Sequence, residues 1–382
     1  MVDFNFQQVP SNDAMETLRQ EVRDFLAVEI GDRKPAERAL SWAGHDAAFS
    51  RKVGERGWLG MTWPGRYCGH ERSALERYVV LEEMLTAGAP VSAHWIADRQ
   101  SGPLILRVGT EEQRQRYLPG IARGEIFFCA GLSEPDTGSD LASARTRAVE
   151  TDAGWVVNGT KIWNTNGHRS HYMILFCRTD APSSDARHSG FSQFIVDMSL
   201  PGIEVRPILD MAGEHHLNEI HFSDALLPKD ALLGPKGSGW QQVISELAHE
   251  RSGPERFLSS FPLLVELARA LGDSPSAHAA ASLGRLAGQV AVLRQMSLSV
   301  AGMLQRGEDP TVAAAIVKDL GAVLEQEVIE VARLLVATEP DLTGQDFAAS
   351  LATTLLASPS FSLRGGAREI LRGIIARGLN LR

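Results

Sequence analysis

The sequence predicts a multi-domain α+β protein in which a region of short strands lies between two helical regions. Its 382 residues are more than one compact core usually serves. Apolar residues recur at helical spacing in the first and last thirds, whereas the middle third alternates with a period of two. We therefore expect a helical domain over 1–127, a β domain over 128–235 and a helical domain over 236–382.

The composition excludes several classes of function. A net charge of −9 without a basic stripe argues against binding to bulk nucleic acid. The three cysteines are widely spaced and form no CxxC pair, which argues against a structural zinc site and favours a reducing, cytoplasmic location. No apolar segment approaches the roughly 20 residues that a membrane span needs.

Helices are predicted at both ends of the chain. Thr110 is a candidate N-cap, because acidic residues follow it in what would be the first helical turn. The C-terminal segments are long and rich in Ala and Leu, with short breaks between them, which predicts an antiparallel bundle. The predicted helices span 15–30, 73–88, 109–125, 265–272, 278–304 and 310–335.

Short strands are predicted in the middle region. The segment GWVVNGTKIW, at 154–163, has Asn158-Gly159 between apolar runs, which predicts a hairpin turn. Clusters of Gly, Pro, Ser and Asp separate the remaining strands, and this spacing is typical of a compact barrel or sandwich. Those strands are predicted at 172–180, 191–198, 202–209 and 218–224.

The loop GLSEPDTGSD, at 131–140, is the first candidate binding element. Its glycines, hydroxyls and Pro135 predict a rigid loop whose backbone N–H groups could face a ligand, although a simple connection is the alternative. The loop is not a nucleophile elbow, because Pro135 occupies the position of the second glycine. It is not a P-loop, because it lacks the final Gly-Lys-Ser/Thr.

The segment KIWNTNG, at 161–167, is the second candidate. Trp163 and Thr165 are two residues apart at a predicted strand end, so both side chains would point to one face. A flat aromatic ligand could lie beside the indole, while a core tryptophan is the alternative. Paired histidines in HRSH (168–171) and GEHHLNEI (213–220) lack a third ligand at a recognised spacing, so we expect no metal there.

A carboxylate falls on the apolar face of the predicted helix near residue 245. Counting along the helical period from the apolar residues leads to Glu250. Burial would raise the pKa of this carboxyl, as a general base requires. The alternative is a solvated ion pair with Arg251, or a charge at the N-terminus of the next helix after the break at Gly253-Pro254. The apolar residues are Trp240, Val243, Ile244 and Leu247.

Taken together, these motifs resemble the acyl-CoA dehydrogenase family. GLSEPDTGSDLASARTRAV (131–149) is similar to its T/S-E-P-x-x-G-S-D signature, and GWVVNGTKIWNTNG (154–167) is similar to its N-G-x-K-x-W hairpin. GWLGMTWPGRYCGH (57–70) resembles another family segment, with His70 in place of a glycine. The resemblance extends in order over about residues 10–260.

The resemblance implies a fold, a cofactor and site residues. The fold is an N-terminal helical domain, a middle β-barrel and a C-terminal four-helix bundle, and the cofactor is FAD. By position, the resemblance implies that Leu132, Ser133 and Ser139 contact the flavin or the acyl-CoA. Trp163 and Thr165 would flank the isoalloxazine ring. Arg251 would lie near the thioester.

Two departures from the family pattern bear on function. The Arg-x-x-Phe-Gly and Gly-Gly-x-Gly segments are absent, and the family includes heterotetramers in which a related chain supplies such elements. Gly365 takes the position of the usual catalytic glutamate, whereas some members carry the base at the position of Glu250. The chain resembles the catalytic type of subunit in these heterotetramers. We expect it to assemble either with a related chain into a heterotetramer or with copies of itself.

The expected function is FAD-dependent α,β-dehydrogenation of an acyl-CoA, in fatty acid or steroid side-chain oxidation. Glu250 would take the α proton, hydride would pass to flavin N5, and an electron-transfer flavoprotein would accept the electrons. A catalytically silent partner subunit and a flavin oxidase or monooxygenase of the same superfamily are the alternatives. A nitroalkane oxidase would need an aspartate base, which Glu250 does not match.

Overall fold

The computed structural model describes residues 6–181, 186–250 and 253–381, with the side chains of 247–250 excepted. These residues form two compact units, which are described separately. The first comprises the chain up to Asp46, Arg72–Val91 and the chain from Ala248 onward, and the second comprises Ala47–Glu71 and Ser92–Leu247. The domain boundaries predicted above remain a prediction.

The second unit is built on one eight-stranded sheet, as the strand pattern predicts. The strands pair in the order β6-β7-β3-β2-β4-β5-β8, and β1 pairs with β4 in parallel. They are β1 Phe128–Gly131, β2 Arg147–Thr151, β3 Gly154–Lys161, β4 Tyr172–Arg178, β5 Phe191–Asp197, β6 Ile203–Leu209, β7 His215–Leu227 and β8 Leu232–Leu233.

The predicted barrel is wrong in one respect, because the sheet is not a closed barrel. The terminal strands β6 and β8 each pair with one neighbour in the described part of the chain, and not with each other. The join between β2 and β4 is a single residue pair, Arg147 with Arg178. A period of two defines the two faces of a strand, but closure depends on tilt and stagger, which periodicity does not encode.

The predicted hairpin turn at Asn158-Gly159 is also wrong. β2 and β3 do form an antiparallel hairpin, but its turn lies between Thr151 and Gly154. Gly159 lies inside β3 with φ +147°, where the register with β7 shifts. A Cβ at this glycine would lie 2.7 Å from the Cα of Thr146, so the glycine permits a bulge and a close approach of two chains.

Helices accompany the sheet in this unit, and several of them pack against it. They are α3 Ala47–Glu55, α5 Ser92–Ile96, α6 Gly102–Val108, α7 Glu111–Ala122 and the first part of α8, Gly239–Glu250. Tyr117 and Leu118 of α7 pack with Ile174 and Ile195 of the sheet. Thr110 caps α7 and forms a capping box with Gln113, which confirms the predicted helix start.

The first unit is helical. Its helices are α1 Asp13–Ile30, α2 Pro35–Ala39, α4 Ala74–Thr86, α9 Phe261–Leu271, α10 Ala277–Gln305, α11 Thr311–Leu335, α12 Asp346–Ala357 and α13 Arg368–Gly378. In the C-terminal region, α11 packs against α9, α10, α12 and α13, which confirms the predicted helical character. None of the described helices is long and apolar enough to cross a membrane.

Candidate active site

A buried ion pair fastens the loop 131–140 to the end of β3. Lys161 is fully buried, and its Nζ lies 2.8 Å from Glu134 Oε1 and 3.0 Å from the carbonyl oxygen of Leu132. Glu134 also accepts the backbone N–H groups of Arg145, at 2.7 Å, and Thr146, at 2.9 Å. The two sequence motifs are therefore joined by one charged pair, which the sequence reasoning did not identify.

The ionisation of this pair follows from its surroundings. Burial alone would raise the pKa of Glu134, but the charge and hydrogen bond of Lys161 and the two backbone donors hold it below its ordinary value. Burial lowers the pKa of Lys161, against the opposing charge of Glu134. Because three donors satisfy the carboxylate, the pair is a stable anchor for the loop.

The loop itself is closed by backbone hydrogen bonds. Glu134 and Thr137 exchange two backbone hydrogen bonds, at 2.9 and 3.0 Å, which close a tight turn through Pro135. Leu132 and Ser133 are half-buried, and Ser139 is exposed. The Ser133 carbonyl accepts the N–H of Ile162 at 3.0 Å, which places the loop beside the residue before Trp163. The flavin and substrate contacts assigned to these three residues remain predictions.

Trp163 is an exposed indole on a strained backbone. It has φ +63° and is 57% exposed, so the alternative of a core tryptophan is wrong. β3 ends at Lys161, so the strand alternation used to place Trp163 and Thr165 on one face does not apply. A bulky residue in the left-handed region costs about 1–3 kcal/mol and occurs at functional sites.

Two buried asparagines hold the backbone on the far side of Trp163. Asn164 is fully buried, and its amide donates to the carbonyl oxygen of Ala130 at 2.8 Å, while its N–H donates to that of Asn218 at 3.0 Å. Asn166 donates to Ser92 Oγ at 2.6 Å. The Oδ1 atoms of Asn164 and Asn166 find no hydrogen-bond partner in the described ranges. Thr165 between them is half-buried.

A small cavity in the second unit adjoins the loop 131–140 at Leu132. A π-helical segment, Ala97–Ser101, lies between α5 and α6, and such segments are frequent at functional sites. The cavity has room for about one water molecule. It is lined by Ile96, Gln100, Ser101, Ala130, Leu132, Ile174, Gln193, Val243 and Glu246.

The cavity has polar groups among apolar walls. Gln193, fully buried in β5, donates its Nε2 to Glu246 Oε2 at 2.9 Å. Gln193 Oε1 and the hydroxyl of Ser101, which is 1% exposed, lack a hydrogen-bond partner within the described part of the protein. None of these three residues is predicted from the sequence. The only sequence signal is a glutamine in the middle of the otherwise apolar strand FSQFIVD.

The helix that carries Glu250 differs in part from the prediction. Val243 is buried, as expected, but Ile244 is 55% exposed, so the apolar stripe is narrower than its sequence suggests. Glu250 follows Glu246 by one helical turn at the end of α8. The side chain of Glu250, the side chain of Leu247 and the whole of Arg251 lie outside the described residues, so the roles assigned to Glu250 and Arg251 remain predictions.

Gly365, in the first unit, has no room for a side chain. Its φ is +69°, which favours glycine, and a Cβ would lie 2.6 Å from Nη1 of Arg256. Arg256 is 2% exposed, so its guanidinium is enclosed at this point. A glutamate at 365 would therefore meet both backbone strain and a steric clash.

The histidines of the two paired motifs interact with one another. The rings of His168 and His215 stack with centroids 3.8 Å apart, and both bond Asn218 Oδ1. Across the described ranges, no group of three residues is arranged to hold a metal ion.

Family models match most of the first 225 residues. The acyl-CoA dehydrogenase N-terminal domain matches residues 12–125, and the acyl-CoA dehydrogenase middle domain matches residues 129–225. The latter range includes the loop 131–140, Lys161 and Trp163. Two sequence features that carried the resemblance therefore lie within the matched middle domain.

Known relatives and solved structures agree with this match. Acyl-CoA dehydrogenase IpdE1 of Mycobacterium tuberculosis is 34% identical over 278 residues, which are 68% of this chain and 71% of that protein. The solved Tcur3481-Tcur3483 steroid ACAD is 26% identical, with a TM-score of 0.86 over 98% of this chain and 99% of that one. The ChsE4-ChsE5 complex from Mycobacterium tuberculosis is 28% identical, with a TM-score of 0.83 over 98% and 99%. The chain therefore belongs to the acyl-CoA dehydrogenase family of flavoprotein oxidoreductases.

Proposed function

We propose that this chain is the catalytic subunit of an FAD-dependent acyl-CoA dehydrogenase in which Glu250 is the base. Glu250 would remove the proton α to the thioester carbonyl. FAD, held beside Trp163 and the loop 131–140, would supply the capacity to accept a hydride, which no side chain of the protein provides. A solvated carboxylate is too weak a base for an α proton of a thioester, so the site must exclude water.

The residues around Trp163 fit a bound flavin. An exposed indole on a fixed backbone offers a flat surface for an aromatic ring. The Lys161–Glu134 pair holds Leu132 and Ser133 beside it, where their backbone could hydrogen-bond the edge of the ring. The buried Oδ1 atoms of Asn164 and Asn166, without partners in the described residues, are further places for ligand or water contacts.

The observation that carries the choice of base is the environment of Gly365. The usual position of the base has no side chain, a left-handed backbone and the Arg256 guanidinium 2.6 Å from a Cβ. No carboxylate can occupy that point without rearrangement. Glu250 is the carboxylate that the family resemblance offers instead, and it ends a helix whose preceding turn borders a buried cavity.

Relatives support proposals for substrate and partners. A steroid ACAD and the ChsE4-ChsE5 complex are similar along nearly the whole chain, which favours a bulky acyl-CoA substrate and assembly with a related chain. A structure that includes an electron-transferring flavoprotein is also similar in fold. We extend these features to this chain: a cytoplasmic, oligomeric enzyme that delivers electrons to an electron-transfer flavoprotein.

The test is the reduction of bound flavin by substrate. The purified chain, alone and with a related partner chain, is mixed anaerobically with acyl-CoA esters, and the loss of visible flavin absorbance is followed. Glu250→Gln should retain flavin but slow its reduction by at least about 1000-fold, because a general base is lost. Glu369→Gln, which changes an exposed carboxylate near Gly365, is the matched control and should reduce at the wild-type rate.

Full reduction by Glu250→Gln would refute the assignment of the base. A chain that holds no flavin with or without a partner, yet is required for the partner's activity, would support the silent-subunit alternative. Oxygen consumption by the reduced flavin at the rate of turnover would support the oxidase alternative.

A further inference from the structure

We propose that the stacked rings of His168 and His215 form a pH-sensitive switch, which weakens flavin binding when both rings become protonated. This inference rests on the proposed function and adds a form of regulation to it. Two observations carry it: the stack with its shared acceptor Asn218, and the hydrogen bonds that connect Asn218 to the segment after Trp163. The two rings are called the histidine pair below.

The stack brings two titratable rings into direct contact. The ring centroids of His168 and His215 are 3.8 Å apart, and the ring planes are inclined by 18°. His168 lies in the short turn Gly167–Arg169 and His215 begins β7, so the contact joins two distant points of the chain within the second unit. Both rings are half-buried, so water screens charges on them less than at an open surface.

The shared acceptor fixes where the ring protons are. Asn218 donates its Nδ2 to the carbonyl oxygen of Asn164 at 2.8 Å, so its Oδ1 is the atom that faces the rings. His168 Nδ1 and His215 Nε2 must each donate a proton to this oxygen, at 3.1 and 2.8 Å. An additional proton therefore goes to the second nitrogen of either ring and breaks neither of these bonds.

The histidine pair accepts one additional proton more readily than two. One imidazolium can stack on a neutral ring, because an aromatic face attracts a cation. Two imidazolium rings in this geometry repel each other, and opening the stack relieves the repulsion. An unperturbed imidazole titrates near pH 6.5, so the open state binds more protons than the stack below about that pH. The stack is therefore favoured at neutral pH and is lost as the pH falls.

The charged neighbours of the pair act in both directions. Asp210, which lies 3.4 Å from His216, and Glu214 supply negative charge that favours the first proton. Arg169, which follows His168, opposes the second proton. Burial lowers the pKa of His216 in spite of the charge of Asp210, so His216 takes up its proton at a lower pH than an exposed imidazole.

Hydrogen bonds connect the histidine pair to the segment that follows Trp163. In addition to the side-chain bond of Asn218, the N–H of Asn164 donates to the Asn218 carbonyl oxygen at 3.0 Å. The N–H of Asn166 donates to the carbonyl oxygen of His216 at 2.7 Å. These bonds hold the backbone beside the proposed flavin surface. When the stack opens and Asn218 moves, the segment loses this support and the flavin is bound less tightly.

The test measures flavin retention by the holoenzyme between pH 7 and pH 5. The fluorescence of released flavin gives the dissociation constant at each pH. In the wild-type protein this constant should rise by ~10-fold, because the open state binds one more proton than the stack. His168→Gln and His215→Gln each keep an N–H donor for Asn218 but carry no charge, so in either variant the rise should be ~3-fold or less.

A third histidine provides the matched control. His216→Gln removes a ring that lies next to the pair in sequence but contacts Asp210 instead of Asn218, so it should show the wild-type rise. NMR titration of the ring protons should show that the pair takes up its second proton at a lower pH than its first. A wild-type rise in both His168→Gln and His215→Gln, or the loss of the rise in His216→Gln, would overturn the inference.

Flavin retention separates this inference from the proposed function, because it is measured without substrate. If retention depends on pH and on the histidine pair, but acyl-CoA esters do not reduce the flavin, the proposed function fails and the inference stands. If acyl-CoA esters reduce the flavin, but the wild type and both glutamine variants have equal dissociation constants at pH 5, the inference fails and the proposed function stands.

Discussion

Replacing Lys161 with methionine should destabilise the second unit and weaken flavin binding together. The substitution keeps the length of the side chain but leaves the buried carboxylate of Glu134 without its charged partner. Breaking a buried ion pair costs about 3–5 kcal/mol, and the two backbone donors to Glu134 place the expected loss near the lower value. In a unit of this size, a loss of about 3 kcal/mol lowers the melting temperature by about 6–12 °C.

The assay is calorimetry of the holoenzyme combined with its ratio of flavin to protein absorbance. Lys236→Met is the matched control, because Lys236 is partly exposed and its ion pairs with Glu150 and Asp180 lie at the surface. That variant should change the free energy of unfolding by no more than about 1 kcal/mol and retain its flavin. If Lys161→Met melts like Lys236→Met and keeps full flavin, the buried pair is not the anchor of the loop.

Four other outcomes are expected. The pKa of Glu134 is lowered in the folded protein, so the stability that its carboxylate contributes is present above the ordinary pKa of a glutamate and is lost as pH falls through the folded pKa. In Glu134→Gln, the midpoint of unfolding measured against pH should no longer show this loss at low pH. Trp163→Gly should deplete flavin yet leave the free energy of unfolding within about 1 kcal/mol of wild type, because relief of the left-handed strain offsets the added chain entropy. Gly365→Ala should lower the free energy of unfolding by about 1–3 kcal/mol through strain and contact with Arg256, measured in denaturant. A thiol reagent at neutral pH should modify the exposed Cys68 alone in the folded protein, since burial raises the pKa of the two other cysteines to about 12.

Periodicity and capping chemistry predicted the elements of this fold well, because both are local. Thr110 forms the expected capping box, and the strands at 172–180 and 191–198 lie where alternation placed them. The Asn158-Gly159 turn failed because β3 pairs with β7 along its length, and these pairings outweigh a local turn preference. Gly159 lies at a bulge in β3 beside Thr146, where a side chain would have no room. This need for a glycine arises from the folded sheet and not from the local sequence.

The site was less predictable, because its parts come from distant points in the sequence. Family motifs pointed to the loop 131–140 and to Trp163, but the Lys161–Glu134 bond between them became visible only in the fold. Ser101, Gln193 and Glu246 belong to a π-helical segment, a strand and a helix, so no spacing rule connects them. The helical stripe likewise predicted Ile244 as buried, whereas tertiary packing leaves it exposed.

The environment of Gly365 links the missing base to the rest of the first unit. The space that a glutamate would need is taken by the guanidinium of Arg256, and the preceding residue, Arg364, bonds Glu325 on α11 at 3.2 Å. Glu325 is fully buried and also accepts the N–H of Ser259 at 3.0 Å, so this turn is tied into the helical core. Returning a carboxylate to position 365 would require a new backbone conformation and a new place for a buried arginine, not one substitution. A base on α8 avoids both requirements, because a helix position accepts any side chain that its neighbours can surround.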